Sequence, residues 1–361
     1  MVTSAEDKKS DADEEAPKTP YLKTGLKVLL LVVVVTTPPV VAAVLWWPAA
    51  TLITVIGVTV GMVGAAGRGF PAGIRLALIF AVAGAIATEV TNQPILATAL
   101  VMVMSVLVAL SAVKGASGPM MIAAVFIPYI IHAPAENVSI TGEASSQMIY
   151  ILSSFVALLL GGAYGAFVAV KLVKLPAAPT TPQLPSVPQA TLVGILLALS
   201  TGAVTFVAMT WFPEVLWMWI TLTIYILTRP TLELDFKKIR DRFLGTVLGV
   251  IFAVVIVDLV GFQSVFYILG VLFITAALTL SLLQKPYWIY AGLLTPAIVF
   301  FGSAGKDVDL VGGERVAFTA IGVVIALLIG LVTNLVVRAA GPWLEDRTTR
   351  GTEPAATADT A

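Results

Sequence analysis

The chain has 361 residues, of which 58% are hydrophobic and only 12% charged, with a mean hydropathy of +0.99. A soluble domain is about a quarter charged, so this chain lacks the charge to coat a water-facing surface and is expected in lipid. Formal net charge is zero; the absence of cysteine excludes disulfides, thiol nucleophiles and thiolate metal sites, and a single histidine, His132, excludes a multi-histidine metal centre.

The first 20 residues are hydrophilic, with Glu6, Asp7, Asp11, Asp13, Glu14 and Glu15 among Lys8, Lys9 and Lys18. A secretory signal would instead place an apolar run directly after a short basic stretch. Residues 1–25 are therefore expected as a disordered cytoplasmic tail, and 339–361, polar and Ala/Thr-rich from Glu345, as a second one.

Between the tails, a bilayer core of roughly 30 Å needs about 20 apolar residues per helix. Cutting the apolar runs at charged, proline or glycine-rich breaks predicts about twelve segments, near 26–46, 49–66, 72–89, 94–113, 117–132, 147–170, 190–210, 213–229, 242–260, 263–283, 287–302 and 315–338. The segments 117–132 and 287–302 are short for a full span. The runs are too long, and too lacking in alternation, for barrel strands. The fold class is all-α, a polytopic membrane protein.

Lysine and arginine gather on the cytoplasmic side of membrane proteins. With the N-terminus placed there, all of the 21 Lys and Arg residues except Lys306 and Arg315 fall on that side, whereas Glu136, Glu143, Glu214, Asp307, Asp309 and Glu314 fall outside. One helix more or fewer would scramble this sorting. Both termini are thus expected in the cytoplasm, and the cytoplasmic membrane is the expected location.

Markers recur in order at an offset of about 165 residues. Trp46-Trp47-Pro48 is matched by Trp211-Phe212-Pro213, Ile74-Arg75 by Ile239-Arg240, Glu89 by Asp258, Lys114 by Lys285 and Pro128 by Pro296. The reading is two six-helix repeats, 26–174 and 190–338. An even helix count gives them one orientation, related by an axis along the membrane normal. The connector 175–189 carries Pro176, Pro179, Pro182, Pro185 and Pro188. Its period of three matches polyproline II, read as a semi-rigid cytoplasmic spacer or as a docking motif.

The stretch Phe236-Lys237-Lys238-Ile239-Arg240-Asp241-Arg242-Phe243 puts Phe236, Ile239 and Phe243 on one helical face and the cations largely on the other. This predicts an amphipathic cytoplasmic lead-in. Gly245 and Gly249 follow as a small-residue face for close helix approach, and Gly57/Gly61 and Gly161/Gly165 repeat that spacing. A second, looser copy runs from Arg315 through Thr319 to Gly322.

These motifs resemble the fusaric acid resistance–like superfamily, whose better-known members are aromatic acid exporters. The resemblance rests on Arg242, Gly245, Thr246 and Gly249, on Arg315, Thr319 and Gly322, and on Trp219-Ile220-Thr221-Leu222-Thr223. It is good over roughly 213–338 and weak over 26–174, where Arg75 is kept but the Gly-Thr is not. It implies export or conduction of small organic anions by six-helix units working in pairs, which a fused repeat would supply within one chain.

Each candidate residue has two readings. Arg240 and Arg242 either draw an anion to the cytoplasmic mouth or rest among lipid phosphates as topology determinants. Arg315, with Thr319 beside it, either pairs with Glu314 or faces a water-filled pathway. Glu89 and Asp258, at the outer ends of matching helices, either exchange protons as partly desolvated carboxylates or reach water at the interface. Pro128 and Pro296, with Thr295 and Thr246 as hydroxyl donors, either break helices at a midplane substrate site between the halves or make packing kinks. Trp217 and Trp219 either stack an aromatic substrate or, like Trp46, Trp47, Trp211 and Trp288, join the interfacial belt.

No nucleophile elbow, metalloprotease motif, phosphate loop or dinucleotide fingerprint is present, so an enzyme is not expected, nor a cofactor, a metal or a nucleic-acid partner. The expected partners are the lipid bilayer and a small organic anion. Whether a second copy or a periplasmic adaptor joins them is left open by the sequence. The expected function is a proton-coupled exporter of small organic, in particular aromatic, acids. The rivals are an anion channel of the same architecture and a non-transporting membrane scaffold or lipid-interacting protein.

Overall fold

The computed structural model describes residues 21–46, 51–66, 68–132, 144–173, 184–213, 217–228, 236–260, 263–282, 285–302 and 308–350. The expected tails at 1–20 and 351–361, Trp47, and the connector over 174–183 lie outside these residues. The helices are α1 (Tyr21–Trp46), α2 (Thr51–Ala65), α3 (Phe70–Glu89), α4 (Pro94–Ala112), α5 (Ser117–His132), α6 (Ala144–Phe167), α7 (Val187–Trp211), α8 (Met218–Leu227), α9 (Phe236–Val260), α10 (Gln263–Leu282), α11 (Tyr287–Gly302) and α12 (Val308–Arg350). A π-helical segment, Val168–Val173, continues α6.

Among the described residues, six helices are long and apolar enough to cross a membrane: Phe70–Glu89, Pro94–Ala112, Met148–Leu172, Val187–Trp211, Phe236–Leu259 and Val311–Val332. The protein is a polytopic, all-helical membrane protein. Large apolar side chains such as Leu30, Ile95, Leu160, Leu248 and Leu259 stand exposed on its outer faces, where acyl chains and not water would receive them.

Local sequence explains the helix starts. Proline occupies the first turn of α3, α4 and α7, where its missing N–H costs nothing. At α7, Ser186 accepts from the Gln189 backbone while Gln189 answers the Ser186 N–H, a reciprocal cap. Gly115, between α4 and α5, has φ +63°, and the Arg68 guanidinium from the α2–α3 loop donates to its carbonyl. That bond ties two loops to one end of the bundle.

Several expected boundaries move. The cationic lead-in is the first two turns of α9 itself: Ile239 is buried, but Phe236 and Phe243 are exposed. The connector ends at Ser186, because the cap starts α7 at Val187 and places Pro188 inside it. Helix α12 begins at Val308, so Arg315 lies two turns inside and not at its mouth, and it continues to Arg350 where a tail is expected. Once nucleated, a helix gains one hydrogen bond per added residue.

The packing order recurs. In the first six helices α2 packs on α6, α3 on α6, α3 on α5, α4 on α5 and α1 on α2. In the last six, α8 packs on α12, α9 on α12, α9 on α11, α10 on α11 and α7 on α8. Across the middle, α4 meets α7 and α1 meets α10. A buried hydroxyl cluster sits at the first of these crossings: Ser105 lies 2.8 Å from both Thr201 Oγ1 and the Tyr225 hydroxyl.

Glycines set the closest approaches. A Cβ on Gly57 would stand 2.7 Å from the Leu158 carbonyl oxygen, and one on Gly161 2.6 Å from that of Thr54. These glycines bring α2 and α6 into backbone contact, side by side and parallel. In the second half the equivalent tightness falls on α9 and α11. A Cβ on Gly245 would be 2.6 Å from the Trp288 oxygen, and one on Gly249 2.7 Å from the Gly292 oxygen. That Gly292 carbonyl is the one left without its helical donor by Pro296, four residues on. The glycine therefore offers its Cα–H to a carbonyl the proline has freed.

Candidate functional site

The site forms where α8, α9, α11 and α12 meet. Arg242 in α9 and Arg315 in α12 are each about 1% exposed and rank among the largest fully buried side chains. Among the described residues, none of the three guanidinium nitrogens of either residue finds a hydrogen-bond partner. Arg315 lies flat over Trp219 of α8, its guanidinium carbon 3.8 Å from the ring centroid. Arg242 is close enough for the two positive charges to repel. Tyr287 of α11 lies within electrostatic reach of Arg315, and Tyr290 within reach of Arg242.

Charge in a low-dielectric interior costs several kcal/mol per ion even after relaxation. Two like charges with no counter-ion among the described residues are therefore held there by the surrounding packing and not by their own chemistry. The carboxylates nearest in sequence do not relieve them. Asp241 is buried, but it accepts from Arg240 Nε and Nη2 at 3.3 and 3.0 Å. Glu314 is half-buried, and Arg315 bonds to nothing. The Thr319 hydroxyl and the Trp219 indole nitrogen are likewise buried without a partner. Thr319 follows Arg315 by four residues and so shares its helix face. Arginine and tryptophan can only donate. The cluster is thus rich in unspent donors, complementary to an anion.

The motif glycines position these groups. Gly322 carries no side chain where a Cβ would fall 2.6 Å from Thr223 Cβ and 3.0 Å from the Ile220 oxygen. That absence lets α12 close on α8 and brings Trp219 beneath Arg315. Gly245 and Gly249 do the same for α9 on α11.

The remaining expected site residues divide. Thr246 and Thr295 are fully buried, but each returns its hydroxyl to its own helix: Thr246 to the Arg242 carbonyl at 2.9 Å, and Thr295 to the Ala291 carbonyl at 2.8 Å. Arg240 is exposed and paired with Asp241. Pro128 and Pro296 are buried inside α5 and α11. Helix α5 packs on α2, α3, α4 and α8, whereas α11 packs on α9, α10 and α12. The arginines therefore gather within the last six helices and not at a seam between two proline-broken segments.

Trp217 and Trp219 are buried within the protein; Trp217 packs edge-on against His132 with centroids 6.2 Å apart. The ring face of Trp219 beneath Arg315 is occupied, so it is not free to stack an aromatic substrate. Glu89 and Asp258 are exposed, the first ending α3 and the second in the last turn of α9. Tyr287 and Tyr290 were not anticipated. Their signal is a pair of tyrosines three apart opening a short, proline-broken helix.

Residues 203–329 match the family model for fusaric acid resistance protein–like proteins. Neither a curated protein nor a solved structure matches the chain. The matched span of this resistance-type family runs from within α7 into α12 and contains Trp219, Arg242, Tyr287, Tyr290, Arg315 and Thr319. It leaves out the first six helices, as does the stronger part of the sequence resemblance. Among the described residues, no three His, Cys, Asp or Glu side chains come together as a metal site.

Proposed function

We propose that the protein is a membrane transporter for small organic anions, and that the anion passes the Arg242–Arg315 cluster. The observation that carries this reading is the burial of two guanidiniums, with an indole N–H and a hydroxyl, and no acceptor for any of them among the described residues. Storing uncompensated charge is costly to stability, and residues held against stability are characteristic of function. The fusaric acid resistance match makes outward movement the natural direction. The arginines are shut from bulk water, which suits a carrier that opens and closes better than a standing pore.

The recurring helix neighbours support two six-helix repeats of one orientation, with an even helix count in each and both termini in the cytoplasm. The Arg68 tie between the α2–α3 and α4–α5 loops agrees with both lying on one side. The cytoplasmic membrane remains the proposed location. Proton coupling through Glu89, at the end of α3, and Asp258, in the last turn of α9, remains part of the proposal.

The test is flux. Purified full-length protein in proteoliposomes should release trapped radiolabelled benzoate or succinate faster than protein-free vesicles of the same lipid. Release at the protein-free rate for both would contradict transport and favour a scaffold.

A further inference from the structure

Resting on the anion-transport reading, we infer that the Arg242–Arg315 cluster is a divalent-anion site, with one such site per chain. The argument is a charge count. Two guanidiniums stand fully buried and within repulsive reach of each other. The two carboxylates adjacent to them in sequence supply no compensation: Asp241 is bound to Arg240, and Arg315 makes no hydrogen bond to Glu314 or to any other described residue. A monoanion would neutralise one guanidinium and leave the other buried and bare. A compact dianion neutralises both and turns their mutual repulsion into two attractions. Screening by water is weak at such burial, so the second charge discriminates strongly.

The neighbours fit the same ligand. Trp219 gives its face to Arg315 and so fixes the guanidinium, while its N–H points no bond at protein. With the Thr319 hydroxyl, the site offers further donors for the remaining oxygens of a divalent ligand. An aromatic ring gains less, because the indole surface that would stack it is covered by the cation.

The site is single. At the offset that relates Arg240 to Arg75, Arg242 corresponds to the buried Ala77, and at the offset of 168–171 kept by the later markers Arg315 corresponds to the stretch 144–147, which holds no lysine or arginine. The first six helices carry uncharged residues where the last six hold the charges. The repeat is thus symmetric in packing and asymmetric in chemistry.

Isothermal titration of the full chain in nanodiscs, at constant ionic strength, with succinate, sulfate, acetate and benzoate is the test. Succinate, sulfate or both should bind at about one per chain and about 30-fold or more tighter than either monoanion, the loss expected when one of two buried charge partners is missing. Arg242→Gln should collapse that preference by weakening the dianion much more than acetate, and Arg315→Gln should do the same. Wild-type binding of acetate or benzoate as tight as that of succinate and sulfate would overturn the charge count while leaving anion transport standing. A stoichiometry of two would overturn the single site. Binding of none of the four would overturn both readings.

Discussion

The Arg315 guanidinium rests 3.8 Å from the centre of the Trp219 ring, the two residues meeting where α12 closes on α8. A desolvated cation–π contact of this kind is worth about 2 kcal/mol, and it is the closest favourable contact described for that cation. Trp219→Phe keeps a π face and should retain most transport with a raised KM, whereas Trp219→Leu removes it and should lower flux about tenfold or more. Flux in proteoliposomes, normalised to folded protein, separates the two variants.

The buried charges make stability and function pull apart. Replacing a buried ionic group by an apolar chain of similar volume is neutral or stabilising by about 1–4 kcal/mol. Arg242→Met should therefore melt at the same temperature as the wild type or higher, and yet transport nothing. Thermal denaturation in detergent alongside a flux assay reads both. A melting temperature that falls sharply would mean that Arg242 has an unrecognised structural partner.

Close helix approach gives a third prediction. Gly249→Ala would press a methyl to 2.7 Å from the Gly292 oxygen and to 3.0 Å from Pro296 Cδ, against backbone and a rigid ring. It should destabilise by about 1–3 kcal/mol, the usual cost of overpacking. Gly118→Ala, in α5 with nothing within 4 Å of the added carbon, should be neutral or slightly stabilising. Thermal shift measurements on the pair test whether the α9–α11 contact is as tight as described.

The hydroxyl cluster yields a fourth. Tyr225→Phe deletes one bond to Ser105 but leaves Ser105 paired with Thr201. It should cost about 0.5–1.5 kcal/mol and leave the transport rate nearly unchanged, since the cluster lies at the α4–α7–α8 crossing and not at the arginines. A large loss of flux would place this crossing in the transport cycle.

The helices were largely legible because apolar run length and charged breaks are local properties: the expected 94–113, 117–132, 263–283 and 287–302 differ from α4, α5, α10 and α11 by no more than one residue at either end. The Ser186–Gln189 cap was equally local, and the proline period drew attention away from it. The motif Arg242, Gly245, Thr246, Gly249 marked the right helix, and the structure supplies its reason. What sequence could not convey was depth. Arg242 follows three other cations within six residues and reads as an interfacial charge, because only tertiary packing decides that it, and not Arg240, turns inward. Trp219 and Arg315 are 96 positions apart, and nothing local announces that an indole otherwise typical of the membrane surface holds a buried guanidinium. Glu89 and Asp258 looked equivalent and functional for their shared register. In the structure both stand exposed near the ends of α3 and α9.

The central claim is that Arg242 and Arg315 carry the anion. Its most direct test is succinate counterflow into proteoliposomes holding wild-type protein or the Arg242→Gln/Arg315→Gln pair, with equal folded protein verified by gel filtration and melting. The account predicts saturable counterflow in the wild type and none above protein-free vesicles in the double variant. Saturable counterflow of equal rate and KM in both would contradict it.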